Sequence, residues 1–514
     1  MFGGRLSSFG FGALAVLAVA AGLSIAFAPR GGDSFEAAVA APTTTTSTTT
    51  TTTPTVPIPT TTTRPPFVGW VDPLSVGEPW GSEVEGLLTF RGSPTRTFYG
   101  TGPIPDTPTV RWTFPERGGL CSQSTVGGKA TTWCGSGWTG QPAVFEREGR
   151  RWVVFGSYAA KVHFLDAYTG ERILPDFAVG DIIKGSVTVD PDGYPIVYTG
   201  SRDNFFRAIA IDREEPVELW KLSADAVSPT LWNNDWDGAA LVIDDFLFEG
   251  GENSQIHIVK LNRGYDADGL VTLDPQLVFN APGWDDELLS RVGNNVSIEN
   301  SVAISGNTLY FANSGGLVQG WDISKLADGG PVERVFRFWA GDDVDASIVI
   351  DDEGMLYVGV EYERGTGRSQ ELGQILKLDP SRPDDPLIWG VHERPYLDSG
   401  VWGTPALYRD LLIVSTDEGK IIGIDRATGE ERWFHKLQGP TWQSPVVVDE
   451  TLVIGDCIGQ LHAFDVSDTM VKPPELWTIR LGGGGCIEST PAAWDGWLYV
   501  ATREGSFYAI SNPE

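Results

Sequence analysis

Basic residues are scarce in this chain: 37 Lys and Arg stand against 68 Asp and Glu, a formal net charge of −31. Such an imbalance repels phosphate backbones and anionic headgroups, which argues against nucleic acid and peripheral membrane binding. Cations, neutral molecules and proteins remain as partners. Catalytic signatures are missing as well. The chain has no HExxH or paired-histidine spacing, no GxSxG and no P-loop, so it offers no local motif for zinc hydrolysis, an activated serine or nucleotide phosphates. Only four cysteines occur, without a CxxC. What is abundant is glycine, 62 residues, and proline, 34, in a chain 41% hydrophobic and long enough for one large domain or two to three ordinary ones.

The N-terminus reads as an export element. Arg5 precedes an apolar run from Phe9 to Ala28, long enough to cross a bilayer, and Ala38-Val39-Ala40 offers a small-x-small cleavage site. Residues 1–30 are therefore a signal peptide or a signal anchor, the two readings staying open, and no cysteine precedes Cys121 to carry an N-terminal lipid. Residues 31–66 contain a Thr/Pro tract with nothing to bury and read as a disordered linker, either bare or O-glycosylated. Residues 67–107 form a lead-in segment.

From there the chain repeats. A small polar residue, then Pro or a β-branched residue, then two mostly apolar ones recur at Gln141, Ser186, Ser301, Ser347, Thr404, Ser444 and Thr490; for the remaining unit, Ala239 fits the following hairpin better than Ser228. A turn signal follows each copy, then an alternating strand, a strand ending in Asp or a relative (Asp166, Asp212, Asn262, Asp322, Asp379, Asp425, Asp465, Ser511), and a strand carrying Trp or Phe. Units of this kind predict an all-β, eight-bladed β-propeller over residues 108–514, each blade four antiparallel strands. The prolines fall where a ladder N–H is not needed, on the innermost strand with one edge toward the channel. The last unit has three strands, and the isolated strand PTVRWTF at 108–114 is predicted to complete it, closing the ring.

The pattern Ile424-Asp425-Arg426-Ala427-Thr428-Gly429 with Trp433, and its truncated copy Asp166 to Gly170, resembles the quinoprotein-like (PQQ-like) propeller repeat; FRGSPTRTFYG, 90–100, is similar to the segment that opens many such propellers. The resemblance covers roughly residues 88–514. It implies either a quinone-dependent dehydrogenase or a non-catalytic scaffold like the propeller lipoprotein of outer-membrane assembly. The adjacent Cys-Cys of many such dehydrogenases is absent. Within the repeat, Asp is expected to cap turn amides, Gly to take positive φ, and Trp to fill the gap between blades.

The repeat map also pairs the cysteines. Cys121 and Cys134 share one long loop before the first blade, while Cys457 and Cys486 fall on the same face of neighbouring blades, so disulfides 121–134 and 457–486 are expected. His163, His462 and His257 read as packing residues. The tract YDADGLVTLD, 265–274, hints at a calcium loop but lacks the glutamate that closes one.

One column lies two residues before each inner strand, at the channel mouth: Lys184, Asp237, Glu299, Asp345, Trp402, Trp442 and Glu488, with Thr139 at the first blade. In quinone-dependent relatives the resemblance places cofactor and calcium at such a mouth. Asp237, Glu299 and Asp345, on three successive blades, are expected to approach one another, and carboxylates so placed repel unless a cation compensates. They are the candidate metal ligands, and the longer loops on this face mark it as the binding face. The reading is an exported, membrane-tethered monomeric propeller acting as an envelope binding or scaffold module without a cofactor. The alternatives are a PQQ- and calcium-dependent oxidoreductase, or a carbohydrate-binding propeller.

Overall fold

In the computed structural model the described residues are 67–514, apart from Ser82, Gly127, Trp138, Thr139 and Glu514. The expected signal or anchor and the linker lie outside them. Among the described residues no helix is long and apolar enough to cross a membrane.

Eight antiparallel sheets form the blades of a β-propeller, as the repeat predicts. Blade 1 shows the pattern: Ala143–Arg147 innermost, then Arg150–Ser157, Lys161–Asp166 and Arg172–Ala178. The ambiguous third unit does begin at Ala239, its inner strand being Leu241–Ile243. The ring closes through Thr109–Phe114, which pairs antiparallel with the last strand, Ser506–Ser511. Within the stretch read as one long loop before the first blade, Cys121–Val126 and Lys129–Cys134 instead form a two-stranded ribbon in which Cys121 and Cys134 are directly opposed. Both expected disulfides are present.

Blade contacts follow from the repeat residues. Asp425 Oδ1 accepts from the N–H of Ala427 and Thr428. The turn then needs Gly429 at φ 77°, where a Cβ would stand 2.8 Å from the ring of Trp389 on the preceding blade. Trp112 lies against Gly170 in the same way, which is how the closing strand docks on blade 1. His163 is a packing residue, wedged against Phe114 and Phe155.

The serine and threonine of the inner-strand motif do more than relieve crowding. The N–H of Ala239 donates to Ser301 Oγ (2.9 Å), that of Ser301 to Ser347 Oγ (2.9 Å), that of Ser347 to Thr404 Oγ1 (3.0 Å) and that of Thr404 to Ser444 Oγ (2.9 Å). A run of hydroxyls thus ties blades 3 to 7 to one another around the axis.

The lead-in segment fills one end of the channel. Gly86–Leu87 pairs with the inner strand of blade 1 and Gly100–Thr101 with that of blade 8, covering the two edges nearest the closure. Between them Arg91 and Arg96 are completely buried. Arg91 donates to the carbonyl oxygens of Pro405 and Pro445, and Arg96 to those of Val302, Ala239 and Phe90. The inner-strand prolines therefore have a second role: without an N–H they leave the edge open, and their carbonyls receive the plug. Thr89, Pro94, Thr95 and Leu88 add bonds to blades 2 to 5.

Candidate functional site: a blind acidic mouth

Each blade's inner strand starts at the open end of the channel, so two kinds of loop meet there: the connection entering a blade and the hairpin between its second and third strands. The plug occupies the other end. The mouth is therefore a blind recess, and its walls are acidic.

Two of its clusters share one plan. In an extended segment alternate residues point the same way, so D-x-D presents two carboxylates together. Asp235 and Asp237 enter blade 3, and Asp343 and Asp345 enter blade 5. In both, the blade's own hairpin brings a glutamate against the pair through a backbone bond, Glu252 N–H to Asp235 C=O (3.0 Å) and Glu361 N–H to Asp343 C=O (2.8 Å). One carboxylate oxygen from each of Asp235, Asp237 and Glu252, and likewise from Asp343, Asp345 and Glu361, lie within 4.8 Å of one another.

The first cluster carries its own cation. Lys184 Nζ lies 2.6 Å from Asp237, 2.7 Å from Glu252 and 3.2 Å from Asp235, with Arg202 3.4 Å from Asp235. Burial disfavours the ammonium, but Asp237, Glu252 and Asp235 outweigh it and hold Lys184 charged. Burial likewise pushes Asp237 well above the usual carboxyl range and Asp235 to about 7, whereas in Glu252 the effect of Lys184 outweighs burial and the pKa falls.

The second cluster has no ammonium among the described residues. Asp343 is 5% exposed and Glu361 2%, and among those residues Asp343 Oδ1 and Glu361 Oε1 have no hydrogen-bond partner. Arg364 stands 3.5 Å from Asp343. Asp342, pointing the opposite way, accepts from the N–H of Arg364 (3.0 Å) and Gly365 (2.8 Å) and so holds the hairpin in place. Burial, then mutual repulsion, pushes Asp345 and Glu361 far up; Asp343 rises through burial despite Arg364.

Of the candidates from sequence, Asp237 thus sits in the first cluster and Asp345 in the second. Glu299 lies between them, half-buried, accepting from Ser297 Oγ (2.7 Å), and Ser314 Oγ bridges Glu299 (3.3 Å) and Asp345 (3.4 Å). Trp402 and Trp442 meet with ring centroids 5.7 Å apart at 38°. Glu488 pairs with Arg503 at 2.9 Å, and Arg503 covers Trp133 and Tyr158. The tract at 265–274 makes an ordinary turn in which Asp266 accepts from the N–H of Asp268 and Leu270. Asp235, Asp343, Glu252 and Glu361 stand outside the column that precedes the inner strands. The D-x-D spacing was a usable signal for the first two; the glutamates lie a strand away.

The fold defines the class: a closed eight-bladed β-propeller. Residues 373–472 match the family described as "Outer membrane protein assembly factor BamB". The assembly factor BamB of Shewanella oneidensis is 31% identical over 103 residues, 20% of this chain and 25% of that protein. That of Kangiella koreensis is 32% identical over 108 residues, 20% and 26% respectively. The chain therefore spans about a quarter of the length of these curated relatives. The crystal structure of quinohemoprotein alcohol dehydrogenase from Comamonas testosteroni superposes with a TM-score of 0.54 at 13% identity, covering 84% of this chain and 82% of that one, which shows the fold alone.

Proposed function

We propose that this protein is an exported propeller serving as a binding or scaffold module of the cell envelope, tethered by its N-terminal segment and taking protein, neutral or cationic ligands at the mouth. The observation that carries the reading is the blind mouth itself. A ring closed by the pairing of Thr109–Phe114 with Ser506–Ser511, and plugged at one end by Arg91 and Arg96, is a rigid frame that presents its longer loops on the other face. The local likeness to outer-membrane assembly factors and the two disulfides support an extracytoplasmic setting.

The residues at the mouth do not fit a pyrroloquinoline quinone. That cofactor is a tricarboxylate and needs cations, yet Lys184, Arg202, Arg364 and Arg503 already face carboxylates. Asp343, Asp345, Glu361 and the buried Asp417 offer it no positive charge.

The test has two parts. Fractionation of cells making the full chain is expected to find it outside the cytoplasm and membrane-associated, with membrane association lost on removing residues 1–30. A photo-crosslinking residue at Asp398, exposed on the mouth face, is expected to capture a specific partner that one at Ala427, exposed on the opposite face, does not. A cytosolic chain, or the same crosslinks from both faces, would refute the proposal. Dye-linked alcohol oxidation by the chain after incubation with quinone and Ca²⁺ would favour the oxidoreductase instead, and selective glycan-array binding the carbohydrate module.

A further inference from the structure

We propose that Asp343, Asp345 and Glu361 form a binding site for a hard divalent cation, Ca²⁺ in particular, with Glu299 at its rim. The molecule contains its own comparison. Both clusters are built from a D-x-D segment entering a blade and a hairpin glutamate pinned to it by the same backbone bond. Each also faces the residue at the equivalent position of the preceding blade. For the blade 3 cluster that residue is Lys184, whose ammonium lies 2.6 to 3.2 Å from all three carboxylates and takes the place of a metal ion. For the blade 5 cluster it is Glu299, a fourth carboxylate joined to Asp345 through Ser314 Oγ. Where one site receives a cation from the chain, the other receives more negative charge.

Orphaned acceptors point the same way. Glu361, 2% exposed, and Asp343, 5% exposed, each keep an oxygen without a hydrogen-bond partner among the described residues. A buried acceptor left unmade costs about 1–3 kcal/mol, more when charged, so two in contact with further carboxylates are explained by something that binds oxygen. Arg364, 3.5 Å from Asp343 and 3.5 Å from Asp342, is shared between them and leaves Asp345 and Glu361 without a cation at contact among the described residues. The chemistry selects the ion. An all-oxygen set suits calcium or magnesium rather than zinc or copper. The ligand oxygens all lie within 4.8 Å of one another, within reach of a single ion, and a set of several protein carboxylates suits calcium better than magnesium, which keeps most of its waters. The site uses no quinone and does not depend on the envelope reading.

Calorimetric titration of CaCl₂ into the EDTA-stripped, desalted full chain tests it, with thermal melts in EDTA and in CaCl₂ as a second readout. One equivalent of Ca²⁺ is expected, preferred over MgCl₂. Glu361→Gln is expected to weaken binding roughly ten- to a hundredfold. Glu299→Lys should imitate Lys184: it is expected to weaken Ca²⁺ binding by as much and to raise the melting midpoint in EDTA. Asp237→Asn, in the cluster that Lys184 already occupies, should leave the affinity unchanged. If Glu361→Gln does not fold, Glu299→Lys carries the same test. Absence of Ca²⁺ binding to the wild-type chain, or wild-type affinity in Glu299→Lys, overturns the proposal.

Discussion

Replacing Arg96 by methionine probes the plug directly. The guanidinium is completely buried, and its donors reach the carbonyl oxygens of Val302 (2.8 Å), Phe90 (2.8 Å) and Ala239 (2.8 Å). Burial lowers its pKa to about 9 despite the attraction of Glu249, so it remains charged at neutral pH. Methionine keeps most of the length and none of the donors. Each orphaned buried acceptor costs about 1–3 kcal/mol. Part of the sum returns because a buried charge no longer has to be desolvated, which leaves roughly 3–5 kcal/mol of destabilisation. Glu249, both of whose oxygens lack hydrogen-bond partners among the described residues, loses its nearby positive charge in the same step. The assay is urea unfolding followed by tryptophan fluorescence, for which the 19 tryptophans give ample signal. Arg150→Ala, exposed on the hairpin at the plugged end, is the control and should stay within about 0.5 kcal/mol of wild type. If Arg96→Met unfolds within about 1 kcal/mol of the wild-type protein, on the same scale, the lead-in segment is a passive filler and the account of the inner-strand prolines as its acceptors is wrong.

Two further perturbations follow from the geometry. Asp417 is buried, and burial, then Glu363, pushes its carboxyl up to about 8. The folded state then holds a proton that the unfolded state releases, so from about pH 4 to 8 stability falls as pH rises, at most by about 1.4 kcal/mol per unit. Asp417→Asn in EDTA should therefore raise the melting midpoint at pH 8.5 and change it little at pH 4; an equal shift at both refutes the assignment. At the blade 5–6 contact, Gly429→Ala should cost about 1–2 kcal/mol through its positive φ and Trp389→Ala about 3–5 kcal/mol. Because the alanine Cβ would meet the indole at 2.8 Å, the double variant should cost less than the sum, and strict additivity in equilibrium unfolding would sink that contact.

Much of this architecture is written in short-range patterns. The eight inner-strand motifs, the hairpin tips after them and the unpaired strand 108–114 identify a closed propeller because each signal spans a few residues and repeats. The Asp425–Gly429 turn and the two cysteine pairs are legible for the same reason, the pairs once the blades are numbered. The column from Lys184 to Glu488 was also legible as the mouth, since its place depends only on where each inner strand begins. What the residues of that column do was not. Lys184 Nζ meets Glu252 across 68 positions, and Arg96 and Arg91 reach acceptors 143 to 354 positions away. Contacts of that separation leave no periodic trace in a single chain. Asp237 and Asp345 look alike in sequence, yet one faces an ammonium and the other a glutamate, and that difference is set by which residue the neighbouring blade turns toward it. Local periodicity determined the ring; the sign of each charge's neighbour, which determines what the mouth can bind, was decided only when the blades closed.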